Sequence, residues 1–149
     1  MKVLVIGSGG RDHTIAWKFS QSPRVKKLYV AHGNAGISQT AECVNARTIE
    51  AMVEFAEKEK IDLTFVGPES PLSGGIVDLF EKKGLPIVGP SQAASRLESS
   101  KCYAKEIMRD LGIPVADFEI FDDPDKARDY VRSVGILLNV AMRKFVFQK

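Results

Sequence analysis

The stretch "VLVIGSGGRDHTIAW", Val3 to Trp17, decides the fold. Four apolar residues, Val3–Ile6, run into Gly7, Ser8, Gly9 and Gly10, and an amphipathic segment follows at once. An apolar run this short, ended by glycine, reads as a buried strand, and Thr14–Ser20 reads as a helix. A buried strand that hands over to a helix through a glycine turn opens a parallel α/β sheet covered on both faces.

The same alternation continues downstream. Lys27–Val30 predicts a second strand. Thr48–Lys58 predicts a helix with Ile49, Met52, Val53, Phe55 and Ala56 on one stripe. Leu63–Val66 predicts a third strand, Gly75–Lys82 a helix and Pro86–Val88 a fourth strand. After Gly89-Pro90 the rhythm changes. Ser91–Leu97 and Lys101–Leu111 read as helices, the second ended by Gly112 and Pro114. Val115–Phe121 is strand-like. "DDPDKARDYVRSVG" reads as a helix with Asp123 at its N-cap and Pro124 at its first position. The expected organisation is therefore α/β: a Rossmann-like sheet domain over residues 1–90, a helical linker over 91–114, and the start of a further domain over 115–149. The final stretch "GILLNVAMRKFVFQK" is apolar and basic and has no polar turn. One strand and one helix cannot bury a core of their own, so the segment reads as a cut-short second domain. A last strand on the existing sheet is the alternative.

Bulk properties narrow the function classes. The chain has 149 residues, 44% of them apolar and 27% charged, and a net charge of +2. That balance belongs to an ordinary globular protein, and it is too weak to point to nucleic acid or an anionic membrane. Any anion site must be local. Cys43 and Cys102 stand far apart, and His13 and His32 fall at no metal-ligand spacing. Reduced thiols in the cytoplasm fit this usage, and the residues form no metal set and no catalytic constellation.

The glycine turn matches a dinucleotide fingerprint only in part. Gly7 and Gly9 fit, but Asp12 stands where the third glycine belongs. The second strand ends Tyr29-Val30-Ala31-His32, without the acid that would take ribose hydroxyls. What remains is an anion cradle: Gly7, Ser8, Gly9 and Gly10 expose backbone N–H groups at a helix start, and Arg11 adds a fork-shaped cation. The plainer alternative is a tight turn in which Asp12 complements the helix dipole. A second loop, "VGPESPLSGG", follows the third strand at the carboxyl edge, where open α/β sheets bind ligands. Its Glu69, set between Pro68 and Pro71, offers a fixed carboxylate for hydroxyls or an amine, or is a solvated loop acid. In "HGNAG", His32–Gly36, Asn34 and the glycines suit left-handed backbone. Lys101 and Lys105 lie one turn apart on a helix capped by Ser99 or Ser100. A cation at a helix start opposes the dipole, so a phosphate would account for Lys101. The alternative is two solvated lysines, with Cys102 and Ile107 facing inward.

Taken in order, "VLVIGSGGRDH", "GNAG", "VGPESPL", "GIVDLF", "GPSQAASRLESSKCYAKEIM" and "GIPVADFEIF" resemble the amino-terminal part of phosphoribosylamine–glycine ligase (glycinamide ribonucleotide synthetase) from Met1 to about Gly135. The resemblance implies a Rossmann-like domain that precedes an ATP-grasp domain. It also implies a reaction in purine synthesis: ATP phosphorylates the glycine carboxylate, and the amine of 5-phosphoribosylamine attacks to give glycinamide ribonucleotide, ADP and phosphate. On matching positions, Gly9, Gly10 and Arg11 would lie by the sugar phosphate, Asp12 toward the amine and Glu69 by the ribose hydroxyls. Lys101 and Lys105 would reach toward ATP phosphates.

Three departures stand out. Asp12 replaces the family's usual glutamate, and His32 replaces the proline before "GNAG", which is expected to loosen that loop. After Gly135 the family's nucleotide-binding lysine and glycine-rich lid do not follow. ATP and Mg²⁺ are thus expected to belong to the full-length enzyme, with neither held tightly by this chain and no turnover by the chain alone. Two other readings stay open: a dinucleotide-binding domain of an oxidoreductase or regulator, and a non-catalytic module that self-associates through its edge and aliphatic tail.

Overall fold

β1 (Lys2–Gly7) lies at the centre of a parallel five-stranded sheet. Its side chains alternate between the two faces, and all four central residues are fully buried. Val3 and Val5 pack on one side with Leu28, Val30, Ile37 and Ala16 of the first helix, α1 (Gly10–Ser20). Leu4 and Ile6 pack on the other side. There they join one cluster with Met52, Val53 and Ala56 of α2 (Ile49–Glu59) and with Ile76, Val77 and Phe80. Burial on both faces explains why β1 is apolar without interruption. The structure, a computed structural model, describes residues 1–134 and 139–142. The chain divides into two compact units, Met1–Ser95 and Arg96–Lys149.

In the first unit the chain moves outward from β1 to β2 (Lys27–His32) and β3 (Glu42–Val44). It then returns through α2 to β4 (Leu63–Val66), on the other side of β1. After α3 (Glu69–Ser73) and α4 (Ile76–Lys82), β5 (Ile87–Val88) completes the order β3-β2-β1-β4-β5. The reversal falls between β1 and β4, so the loops after those two strands flank the crevice where such sheets take ligands. Register keeps the strand ends level: Ile6 pairs with Val66, and Gly7 pairs with His32.

Several elements depart from the sequence reading. The sheet has five strands, because Glu42–Val44 pairs with Tyr29–Ala31. α1 starts at Gly10 rather than Thr14, so the glycine turn is already helical in its last residue. Glu69–Ser73, expected as loop, forms a short helix, and Pro71 sits in its first turn where a missing N–H costs no bond. α2 ends on Lys60 in left-handed backbone (φ +54°), with the Ile61 N–H donating to the Ala56 carbonyl at 3.0 Å.

α5 (Gln92–Ser99) runs through the unit boundary. In the second unit, α6 (Lys101–Asp110) is capped by Ser100, whose Oγ accepts from the Tyr103 N–H at 3.3 Å. Gly112, at φ +64°, follows its C-cap Leu111. β6 (Phe118–Phe121) pairs in parallel with β7 (Asn139–Met142). Between them α7 (Pro124–Val134) starts with Asp123 Oδ1 accepting the Asp125 N–H at 2.8 Å. The late strand therefore joins β6 and not the five-stranded sheet, which corrects the alternative of a last strand on that sheet. The rest of the expected divergence, at 135–138 and 143–149, lies outside the described residues.

Candidate functional site

A cavity of about 800 Å³ opens at the switch point. The turn after β1 forms one wall with Ser8, Gly9 and Arg11. The start of α2 forms another with Arg47, Thr48 and Glu50, and Pro68, Ser70 and Pro71 form a third.

Asp12 lines this cavity, yet it is only 5% exposed. Its Oδ2 accepts the Gly9 N–H at 2.8 Å, and its buried Oδ1 has no hydrogen-bond partner. The carboxylate fills a slot between two glycines. A Cβ on Gly7 would lie 2.2 Å from Asp12 Cγ, and one on Gly67 would lie 1.7 Å from Oδ1. Gly7 also has φ +144°. Gly7 and Gly67 are therefore glycines for internal reasons: they make room for a side chain that holds the start of α1.

Gly9 and Gly10 are different. A Cβ on Gly9 would make only an ordinary contact with Asp12 Oδ2 at 3.5 Å, and one on Gly10 would meet nothing within 4 Å. Neither has positive φ. The fold itself would accept side chains at both positions. What their absence leaves open is approach from outside to the first N–H groups of α1, which have no acceptor within the helix and lie at its positive end.

The "HGNAG" loop holds this turn in place. Asn34 Nδ2 donates to the Ser8 carbonyl at 2.7 Å, while its Oδ1 accepts from the N–H groups of Gly36 and Ile37, both at 2.9 Å. The Gly33 N–H donates to the Gly7 carbonyl at 3.1 Å. Left-handed backbone occurs at Gly33 (φ +60°), as the sequence suggested, and at His32 (φ +73°), but not at Asn34 or Gly36. Proline cannot reach φ +73°, so the backbone at position 32 follows a path that a proline there could not adopt.

Arg11 and Glu69, predicted to serve one ligand from two loops, come together across the crevice with Nη2 and Oε2 3.7 Å apart. Both side chains are more than half exposed, at 61% and 58%. An exposed pair of this kind is weakly held and open to exchange for a ligand. Two further residues belong to the site: Asn34, noted in the sequence for its backbone, as the clamp, and Arg47, which the sequence reading missed, on the cavity wall.

A family model described as the phosphoribosylglycinamide synthetase N domain matches residues 1–98. The chain belongs to this family. It is 51% identical over 138 residues to the phosphoribosylamine–glycine ligase of Halalkalibacterium halodurans, covering 91% of this chain and 32% of that protein. The crystal structure of phosphoribosylamine–glycine ligase from Thermotoga maritima superposes with a TM-score of 0.63 at 26% identity, over 89% of this chain and 30% of that one. The biotin carboxylase domain of Hydrogenobacter thermophilus 2-oxoglutarate carboxylase, in complex with MgADP and bicarbonate, shares the fold at 17% identity and TM-score 0.66. It covers 91% of this chain and 33% of that domain. The chain thus spans about a third of the length of the relatives it matches.

The synthetase family match ends before the two lysines that the sequence reading assigned to a nucleotide. Lys101 is exposed at the first position of α6. Lys105 is half-buried, with Nζ 4.9 Å from the centre of the Phe118 ring, and Arg109 lies 5.3 Å from the same ring. Both cations lie within cation–π reach of that one ring. Lys105 is therefore braced, whereas Lys101 is free to extend. Among the described residues, no group of three or more His, Cys, Asp or Glu residues could hold a metal ion. No helix among them is long and apolar enough to cross a membrane.

Proposed function

We propose that Met1–Ser95 holds 5-phosphoribosylamine for an ATP-dependent ligation to glycine in the cytoplasm. In this reading the phosphate lies beside Gly9 and rests on the N–H groups that open α1 from Gly10 onward, and Arg11 releases Glu69 to pair with it. Glu69 then accepts from the ribose hydroxyls, and Asp12 lies toward the amine, which its buried carboxylate would meet at a distance or through water. The observation that carries the reading is the pair Gly9 and Gly10, which the fold does not require to be glycine and which open α1, with Gly9 on the cavity wall.

Lys101 and Lys105 on α6 suit phosphate oxygens of ATP, which when bound supplies the phosphoryl group that activates glycine. Among the described residues no group of three or more His, Cys, Asp or Glu residues could hold a metal ion, and Mg²⁺ is proposed for the full-length enzyme. We further propose that this chain alone binds the sugar phosphate without turnover, because it corresponds to about a third of its relatives.

Titration with ribose 5-phosphate tests the reading. Saturable binding that weakens in Arg11→Ala and in Glu69→Gln is expected, with no product from glycine and ATP. Unchanged affinity in both variants would remove the site assignment, and turnover by the chain alone would remove the second proposal.

A further inference from the structure

The cavity holds two arginines, and only one has an ionic partner. Arg11 is paired with Glu69, whereas Arg47 forms no ion pair among the described residues. We propose that Arg47 is a second phosphate-gripping residue of this cavity, acting from the α2 wall. The inference rests on the sugar-phosphate reading above and assigns a residue to the same ligand.

Three features of the chain support it. The backbone at Arg47 is fixed on both sides. Ala46, just before it, is 95% buried in the core beneath the sheet's α2 face, being 5% exposed. Thr48, just after it, caps α2 by accepting the Ala51 N–H on Oγ1 at 3.2 Å. The guanidinium is also oriented: Nε donates to Asn45 Oδ1 at 2.8 Å, which leaves both terminal nitrogens for a ligand. Finally, a cation directly ahead of a helix opposes the positive end of the dipole. The arrangement is unfavourable for the empty helix start and becomes favourable when an anion lies between the two. A monoester dianion matches the two parallel donors of a guanidinium better than a single carboxylate oxygen does.

The test is calorimetric titration of the full chain with ribose 5-phosphate and, separately, with inorganic phosphate. Arg47→Ala is expected to weaken both by about tenfold, the low end for a charge-assisted bond at a partly open site. Arg47→Lys is expected to recover part of the loss, and Asn45→Ala to lose less than Arg47→Ala. Melting temperature should stay within about 2 °C of the parent, as at an exposed position. If the parent binds and Arg11→Ala weakens binding while Arg47→Ala changes it less than about twofold, the inference is overturned and the sugar-phosphate reading stands. A loss for ribose 5-phosphate alone would put the contact on the ribose and also overturn it. If the parent shows no saturable binding, both fall together.

Discussion

Replacing Gly10 with alanine separates the fold's needs from the ligand's. Gly10 is the first residue of α1, has no positive φ, and would place a Cβ with nothing inside 4 Å. Alanine there lowers the backbone entropy of the unfolded chain and adds helix propensity. The full effect inside a helix is about 0.5–1 kcal/mol. At the first position we expect the lower end, about 0.5 kcal/mol, which for a unit of this size raises the melting temperature by about 2–4 °C. The same methyl group stands where a phosphate would approach the N–H groups of α1. Losing one charge-assisted contact of about 1.5–3 kcal/mol weakens ribose 5-phosphate binding by about tenfold or more. Gly67→Ala is the contrast, because its Cβ would fall 1.7 Å from Asp12 Oδ1. The carboxylate must then move and give up the Gly9 N–H, at a cost of about 2–3 kcal/mol in stability. Differential scanning calorimetry and titration on both variants supply the comparison. A Gly10→Ala protein that binds ribose 5-phosphate as the parent does would refute the cradle, and one that melts lower would refute the reasoning about free space.

Three further outcomes follow from single contacts. Asn34→Ala removes the bonds to the Ser8 carbonyl and to the N–H groups of Gly36 and Ile37. Urea unfolding should show a loss of about 1–2 kcal/mol, with water replacing part of the set, and sugar-phosphate affinity should fall because the turn is unpinned. Lys60→Gly relieves the left-handed end of α2 and should raise stability by about 0.5–1 kcal/mol, read from the urea midpoint. Tyr29 has its hydroxyl pushed above its ordinary value by burial and then by its hydrogen bond to Glu59. Lys27 is raised chiefly by its hydrogen bond to Glu42. Raised values in the folded state mean that this stability is complete below about pH 10 and is lost as pH climbs beyond it. The urea midpoint should fall above pH 10, and Tyr29→Phe should reduce that fall while leaving the part due to Lys27.

Much of the architecture was legible because burial on two faces writes itself as unbroken apolar runs. Leu63–Val66 has the predicted bounds, and β1 extends its predicted run by one residue at each end. Caps were legible where their chemistry is local, as at Ser100, Asp123 and Gly112. β3 was not. Glu42–Val44 is three residues long, and two of them are exposed at the sheet's edge, so neither alternation nor an apolar run marks it. α3 was hidden by its prolines, which read as loop although a first helical turn tolerates them. Within the site, Arg11 and Glu69 were found from loop position and side-chain chemistry. Asn34 was noticed for its backbone tendencies, but its work is done by a side chain reaching Ser8, 26 residues away in sequence. Arg47 carried the same signal as Lys101, a cation at a helix start, but only the fold shows that this helix start faces the glycine turn's cavity.

The balance of charge in the cavity bears on what it would select. Arg11 and Arg47 line it together with Asp12 and Glu50, and Glu69 already sits against Arg11. The formal charges of these side chains do not sum to a positive site. A bare dianion would therefore gain little from the overall field and would depend on directed donors: the amides that open α1 from Gly10 onward and the forks of the two arginines. Freed carboxylates near those donors repel a second anion but accept hydrogen bonds from hydroxyls or an amine. A ligand with a phosphate at one end and donors at the other satisfies both sets, whereas inorganic phosphate satisfies one and leaves Glu69 displaced without a partner. On this argument ribose 5-phosphate should bind more tightly than inorganic phosphate. Glu69→Gln should narrow the gap from both sides, by freeing Arg11 for the anion and by weakening the acceptor that the hydroxyls use.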